Sequence, residues 1–355
     1  MEYLIHKVIK EEKIEEIAEK YKISVNEIKE ANPNATFFKA LFGAEYVGAL
    51  QNIKIPQKKI VVNVENEDEK FLKELNFEKV ARFRCNQTNV TKALDSVTFS
   101  SDIKTQYLVS VAKNETSKVL HTLLEDYIYQ INPKELGASF ELVKPIELLK
   151  NNIKFTQNTQ AEFEKIINFK QIEQKWVEFR KNQLPNIEFF KQLKSQSEQS
   201  SNDFIRITNG EFSNETKFKE ILTKNFFYHI LLKANIGDEL ENYTLSQYSQ
   251  LFPNQELIIN TVKTKVSEDE NTIVFRLVGE LQKENLSEKE LRKQYNEIYK
   301  PILKYSYTDF DYIYRITYTL DTKTGLLLDA KASLNEKIKN NFESITQFEI
   351  NQVEI

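Results

Sequence analysis

Between Val8 and Pro56 the apolar positions switch between strand and helix periods. Lys7 to Ile9 and Ile53 to Ile55 read as short strands. Between them Ile14, Ile17, Ala18 and Tyr21 fall at i, i+3, i+4 and i+7, which lays one apolar stripe along a helix. A second helix starts at Ser24, whose hydroxyl can cap the amide of Glu27 while that carboxylate reaches back. Ile23 and Ile28 stand on either side of this cap, where they staple the incoming chain. The predicted order is βααβ.

After Pro56 the pattern turns to long alternating runs. Strands are expected over Ile60–Val64, Lys79–Val90, Thr105–Ala112 and Val119–Ile131, with a solvated acidic turn at Glu65–Glu69. Ile153 to Ile167 suggests a hairpin around Asn158. From Phe169 the period becomes helical, since Phe169, Ile172, Trp176 and Phe179 share a face. Further helices are expected over Asn186–Ser195 and Ser213–Lys233, with the Ser/Gln-rich Ser195–Asn202 as a loop between them. Strands return at Glu256–Val266 and Asn271–Leu281 around the polar turn Ser267–Glu270. Leu286 to Leu291 opens a capped helix expected to bury Leu291, Tyr295, Ile298 and Ile302. Tyr312, Tyr314, Ile316, Tyr318 and Leu320 then alternate with polar neighbours, a strand with one aromatic face. Leu326–Leu334 and Ser344–Val353 complete the sheet.

The fold class is therefore α+β: a βααβ module over residues 1–58, then a large antiparallel sheet with packed helices over 59–355. Asp126-Tyr-Ile-Tyr-Gln-Ile131 and Asp311-Tyr-Ile-Tyr-Arg-Ile316 differ at one position. That echo raises the possibility of two related halves, 59–168 and 236–355, flanking a helical segment at 169–235.

Composition narrows the function classes. The chain of 355 residues carries a net charge of −4, so no basic excess draws it to nucleic acid. One cysteine, Cys85, excludes an intrachain disulfide framework. No run of about twenty apolar residues is present to span a membrane. Met1 leads straight into the first strand with no apolar leader. If Met1 is the native start, the protein is made in the cytoplasm and stays there, or leaves by a machine that needs no Sec signal.

The N-terminal stretch resembles the LysM domain, a βααβ module of cell-wall enzymes, chitin receptors and phage-tail proteins. Val8, Ile14, Ile17-Ala18, Tyr21, Ile23-Ser24, Ile28, Asn32-Pro33-Asn34 and the closing Ile53-x-Ile55-Pro56 carry the resemblance. It implies recognition of N-acetylglucosamine polymers by the loop after the first strand and the loop before the last. Both loops depart from the family. Where it usually reads Gly-Asp-Thr, this chain has Glu11-Glu12-Lys13, and a glutamate forbids the close backbone approach that glycine permits. The second loop swells to Thr36–Leu50 and carries Phe37, Phe38, Phe42 and Tyr46 among other apolar residues, more than a sugar groove needs. An apolar patch of this size marks a contact with a partner protein or with the next domain.

No catalytic motif emerges. His6, His121 and His229 lack a partner at metal-ligand spacing, His6 and His229 read as structural, and Cys85 reads as a buried small hydrophobe. Neither a cofactor nor a metal is implied. The expected function is a non-catalytic adaptor whose module docks on a partner protein, such as a spike, baseplate or effector of a contractile injection (type VI-like) or phage-tail-like system. The alternative is a peptidoglycan- or chitin-binding wall protein, and a third reading is a LysM-bearing wall hydrolase. Candidate binding residues are Glu11, Glu12, Lys13, Asn32, Asn34, Phe37, Phe38, Phe42 and Tyr46.

Overall fold

The computed structural model describes residues 3–21, 23–39, 45–49, 51–56, 67–113, 118–158, 161–234, 242–253 and 255–354. The chain divides into two compact units, Met1–Asn66 and Glu67–Ile355.

The small unit runs β1 (Tyr3–Val8), β2 (Glu12–Lys13), α1 (Ile14–Tyr21), α2 (Val25–Ala31), β3 (Phe37–Lys39), β4 (Glu45–Val47) and β5 (Gln51–Pro56). The outer strands β1 and β5 pair antiparallel, with Tyr3 opposite Pro56 and Val8 opposite Gln51. The predicted stripe is the core: Ile14, Ile17, Ala18, Ile23 and Ile28 bury against Val8, Val47, Ile53 and Ile55. Ser24 caps α2 through a full capping box, its hydroxyl accepting from the Glu27 amide while the Glu27 carboxylate accepts from the Ser24 amide at 2.9 Å. The swollen loop is the departure from expectation. Two short strands, β3 and β4, arise within it and pair with β2 in the order β2-β4-β3.

The large unit opens on α3 (Glu67–Glu74), so a helix stands where an acidic turn was expected, and continues with β6 (Glu78–Ala93), β7 (Ser96–Lys113) and β8 (Lys118–Asn132). There follow α4 (Gly137–Leu149), β9 (Asn152–Gln157), β10 (Phe163–Ile166), α5 (Phe169–Asn182), α6 (Glu188–Gln196), α7 (Glu198–Phe212), α8 (Glu215–Lys224) and α9 (Phe226–Lys233). The last third holds β11 (Tyr243–Tyr248), β12 (Glu256–Glu268), β13 (Thr272–Leu281), α10 (Glu288–Ile298), α11 (Lys300–Leu303), β14 (Phe310–Asp321), β15 (Leu327–Ile338) and β16 (Phe342–Val353). The strand expected at Ile60–Val64 lies outside the described residues.

Eleven strands form one antiparallel sheet in the order β10-β9-β8-β7-β6-β16-β15-β14-β13-β12-β11. Alternation decides its faces: on β14, Tyr312, Tyr314, Ile316, Tyr318 and Leu320 are buried while Asp311, Ile313 and Arg315 face out. The two echo segments occupy β8 and β14, each the middle strand of a five-strand meander (β6 to β10, β12 to β16) running in the same sense along the sheet. The meanders differ in where helices interrupt them, after β8 in the first and after β13 in the second.

The sheet curls round α9. This helix is apolar round its circumference apart from His229 and the terminal Lys233, the pattern of a largely buried element, and its side chains meet strands from the middle and both edges, Tyr228 reaching Phe163 of β10. Phe227 stacks on Tyr107 of β7 at 3.8 Å between centroids, and Phe226 stacks near Tyr314 of β14 and Phe348 of β16. The Tyr228 hydroxyl pairs with Thr122 of β8 at 3.1 Å, and the His229 imidazole pairs with Tyr243 of the edge strand β11 at 2.9 Å.

Three helical expectations are corrected. Ser213–Lys233 is two helices, because Asn225 interrupts it and its side chain accepts from the Phe227 amide to cap α9. The break reorients the second half, so Ile221 is exposed while every residue from Phe226 to Ile230 is buried. The Ser/Gln-rich stretch forms the start of α7, capped by the Ser197 hydroxyl accepting from the Ser200 amide. On α10 Leu291 and Tyr295 are buried as expected, but Ile298 is 37% exposed and Ile302, beyond the helix, is 76% exposed. The helix ends at Ile298, and the new turn over Lys300–Leu303 buries Leu303 instead.

Candidate functional site

The two loops that would flank a ligand in the small unit are hydrogen-bonded to each other. Glu12 pairs with Val47 and Lys13 with Tyr46, while β4 pairs on its other side with Phe37, Phe38 and Lys39. The strands thus gather Glu12, Lys13, Phe37, Phe38 and Tyr46 into one three-stranded patch. Glu12 is held from beneath: the buried His6 ring contacts its carboxylate through Nε2 at 2.9 Å and the Tyr21 hydroxyl through Nδ1 at 3.0 Å. Lys13 is exposed and sits 3.6 Å from Glu16. Glu11 and Asn34 are exposed, Phe37 is half-buried against the core, and Tyr46 is half-buried. Phe42 lies outside the described residues.

Asn32 has a structural task. It is 7% exposed and joins α2 to β5, donating to the Ile28 and Lys54 carbonyls and accepting from the Lys54 amide, each at 2.7 Å. Gln51 makes a second clasp, accepting from the Thr36 amide and donating to the Thr36 and Gly48 carbonyls. Both ends of the swollen loop are therefore fastened by side-chain amides.

Within the large unit the titratable and nucleophilic side chains are dispersed. Cys85 is buried on β6, and burial pushes its thiol up, away from the thiolate. Glu125 forms a two-pronged pair with Arg82 on the outer face, and that guanidinium holds its carboxyl low. His229 is buried, and burial with the nearby Lys233 ammonium brings its imidazole down to about 4, so it is neutral at physiological pH. Among the described residues no group of three or more His, Cys, Asp or Glu could hold a metal ion. Among them, too, no helix is long and apolar enough to cross a membrane.

Two cavities that the chain pattern does not reveal flank the α8–α9 corner. One, of about 470 Å³, runs along the whole of the edge strand β11 and reaches His229, Lys233 and Phe163. The other, of about 350 Å³, lies between α4, the α8–α9 corner and the inner faces of β6, β7, β8 and β16. The run Phe226–Leu232, apolar but for His229, is consistent with a buried helix but does not by itself disclose cavities beside it.

Residues 6–36 match the family model of the LysM domain. The small unit carries a LysM domain. The match covers less than a tenth of the chain and stops at Thr36, where the β3–β4 hairpin begins. No curated protein matches the chain. A LysM domain points to carbohydrate or peptidoglycan binding, and in this LysM unit the loops that the resemblance assigns to the sugar are the ones joined through β2 and β4.

Proposed function

We propose that the chain is a non-catalytic binding protein whose LysM unit docks on another polypeptide. The observation that carries this reading is the β2–β4 pairing, with Glu12 opposite Val47 and Lys13 opposite Tyr46. A glycan lying between the two loops would need the space those backbone hydrogen bonds take up. The same strands offer Phe37, Tyr46 and exposed main-chain edges, features that suit a protein surface or an added strand. Spike- or baseplate-associated adaptors of contractile injection systems of the type VI-like or phage-tail-like kind need such a part, with the large unit as scaffold. The competing reading, recognition of N-acetylglucosamine polymers in the cell wall, rests on the family match itself.

Co-sedimentation of the full chain with insoluble peptidoglycan and with chitin separates the two. The docking reading expects the protein to stay in the supernatant at concentrations where a wall-binding LysM protein pellets. Retention that Glu11→Gly strengthens would overturn it, because a glycine there restores the close approach a sugar requires.

A further inference from the structure

We propose that the 350 Å³ cavity beside α9 binds a single-chain amphiphile with an anionic head, a ligand unrelated to the LysM unit and independent of its reading. Aromatic and aliphatic side chains make up most of the lining, Tyr107, Tyr127, Phe140, Phe227 and Phe348 among them. Val143 on α4 and Ile221 on α8 stand at the rim and are 40% and 39% exposed. Such a concavity, lined by apolar groups with few polar ones, is the usual form of a small-molecule site.

The polar groups in the wall discriminate between ligand classes. A sugar needs several free donors and acceptors, and most of these are already engaged with protein. Gln87 donates to Asn89, and the Asn225 side-chain oxygen accepts from the Phe227 amide. Lys150 is shared between Glu147 at 2.7 Å and Glu211 at 3.1 Å, so all three groups are engaged with one another and the triad keeps one net negative charge. What remains is apolar surface, the Tyr107 and Tyr127 hydroxyls, and one cation. Lys224 lines this cavity and also the one along β11. Among the described residues it has no ion pair, and its ammonium lies at 3.9 Å over the ring of Tyr248, which lines the β11 cavity. An acyl chain lying along Tyr107 and Phe227 would bring a carboxylate or phosphate head to the α8–α9 corner, where the Lys224 side chain, turning from Tyr248, would form a charge-assisted hydrogen bond.

Calorimetric titration of the full chain with dodecanoate, dodecyl phosphate and dodecyltrimethylammonium, each below its micelle concentration, tests this. One-to-one binding of at least one anionic amphiphile is expected, with the cationic one at least about tenfold weaker. The tighter of the two anions tells whether a fatty acid or a phosphate-headed lipid is the source. Lys224→Gln should weaken the anions about tenfold and leave the cation unchanged. Val143→Trp, at an exposed rim position that does not threaten folding, should block all binding. No heat with either anion, equal affinity for the cation, or titrations unchanged in both variants would overturn the proposal.

Discussion

Nine apolar side chains form the described core of the LysM unit, whereas the large unit buries a continuous aromatic core packed round one helix. With so little apolar area to remove from water, the small unit depends on side-chain clasps: Asn32 between α2 and β5, Gln51 across the swollen loop, and the Ser24 capping box. The large unit depends on fit instead, with ring against ring where Phe83 and Tyr107 meet Phe227 and where Phe226 meets Tyr314. The lesson is that a polar substitution matters most in one unit and a volume change in the other.

The strongest way to break that comparison is Phe227→Ala. It leaves a void against Tyr107 at the centre of the sheet and should cost about 4 kcal/mol in the large unit. Hydrogen-exchange mass spectrometry should record lost protection over residues 78–353 and no change over residues 3–56.

Next comes pH. In the unfolded chain His229 titrates at its ordinary 6.5, while in the fold burial and Lys233 bring it to about 4. Between these values the unfolded state binds a proton that the native state refuses. Stability is therefore complete above about pH 6.5 and falls as the pH drops towards 4, by about 3 kcal/mol. His229→Gln, which keeps a polar group beside the Tyr243 hydroxyl, should flatten this part of the stability profile in chemical denaturation.

For the LysM unit, Asn32→Ala strands the Lys54 amide and two carbonyls and should cost roughly 2–3 kcal/mol. Ser24→Ala should cost about 1 kcal/mol through the lost cap. In both variants the loss of exchange protection should stay within residues 3–56. If it spread to the aromatic core, the two units would not be separate in the way described.

Much of this architecture could be read along the chain. The period-two runs at Tyr312–Leu320 and Glu256–Val266 and the stripe at Phe169–Phe179 match β14, β12 and α5, because one buried face imposes its own spacing. The Ser24 cap was equally plain, being a local arrangement of adjacent groups. What escaped depends on distant partners. Nothing near Phe342 announces that β16 pairs with β6, some 250 residues earlier, or that β10 and β11 form the two edges. The break at Asn225 was hidden because Phe218, Leu222, Phe226 and His229 keep helical spacing across it. At the candidate site, the hairpin over Phe37–Val47 read as a greasy loop, since strands of three residues carry too short a period to detect. The clasp made by Asn32 is equally illegible, because an Asn-Pro-Asn turn does not disclose which carbonyls its amide will find.

The most direct test of the central claim, that β2 and β4 close the sugar groove of the LysM unit, is nuclear magnetic resonance of the full chain titrated with a chito-oligosaccharide. The account predicts that the amides of Glu11, Glu12, Lys13, Tyr46 and Val47 keep their positions at millimolar sugar. Saturable shifts at Glu11 to Lys13 and at Tyr46 and Val47 together would contradict it, since a sugar would then be lying where the two strands are joined.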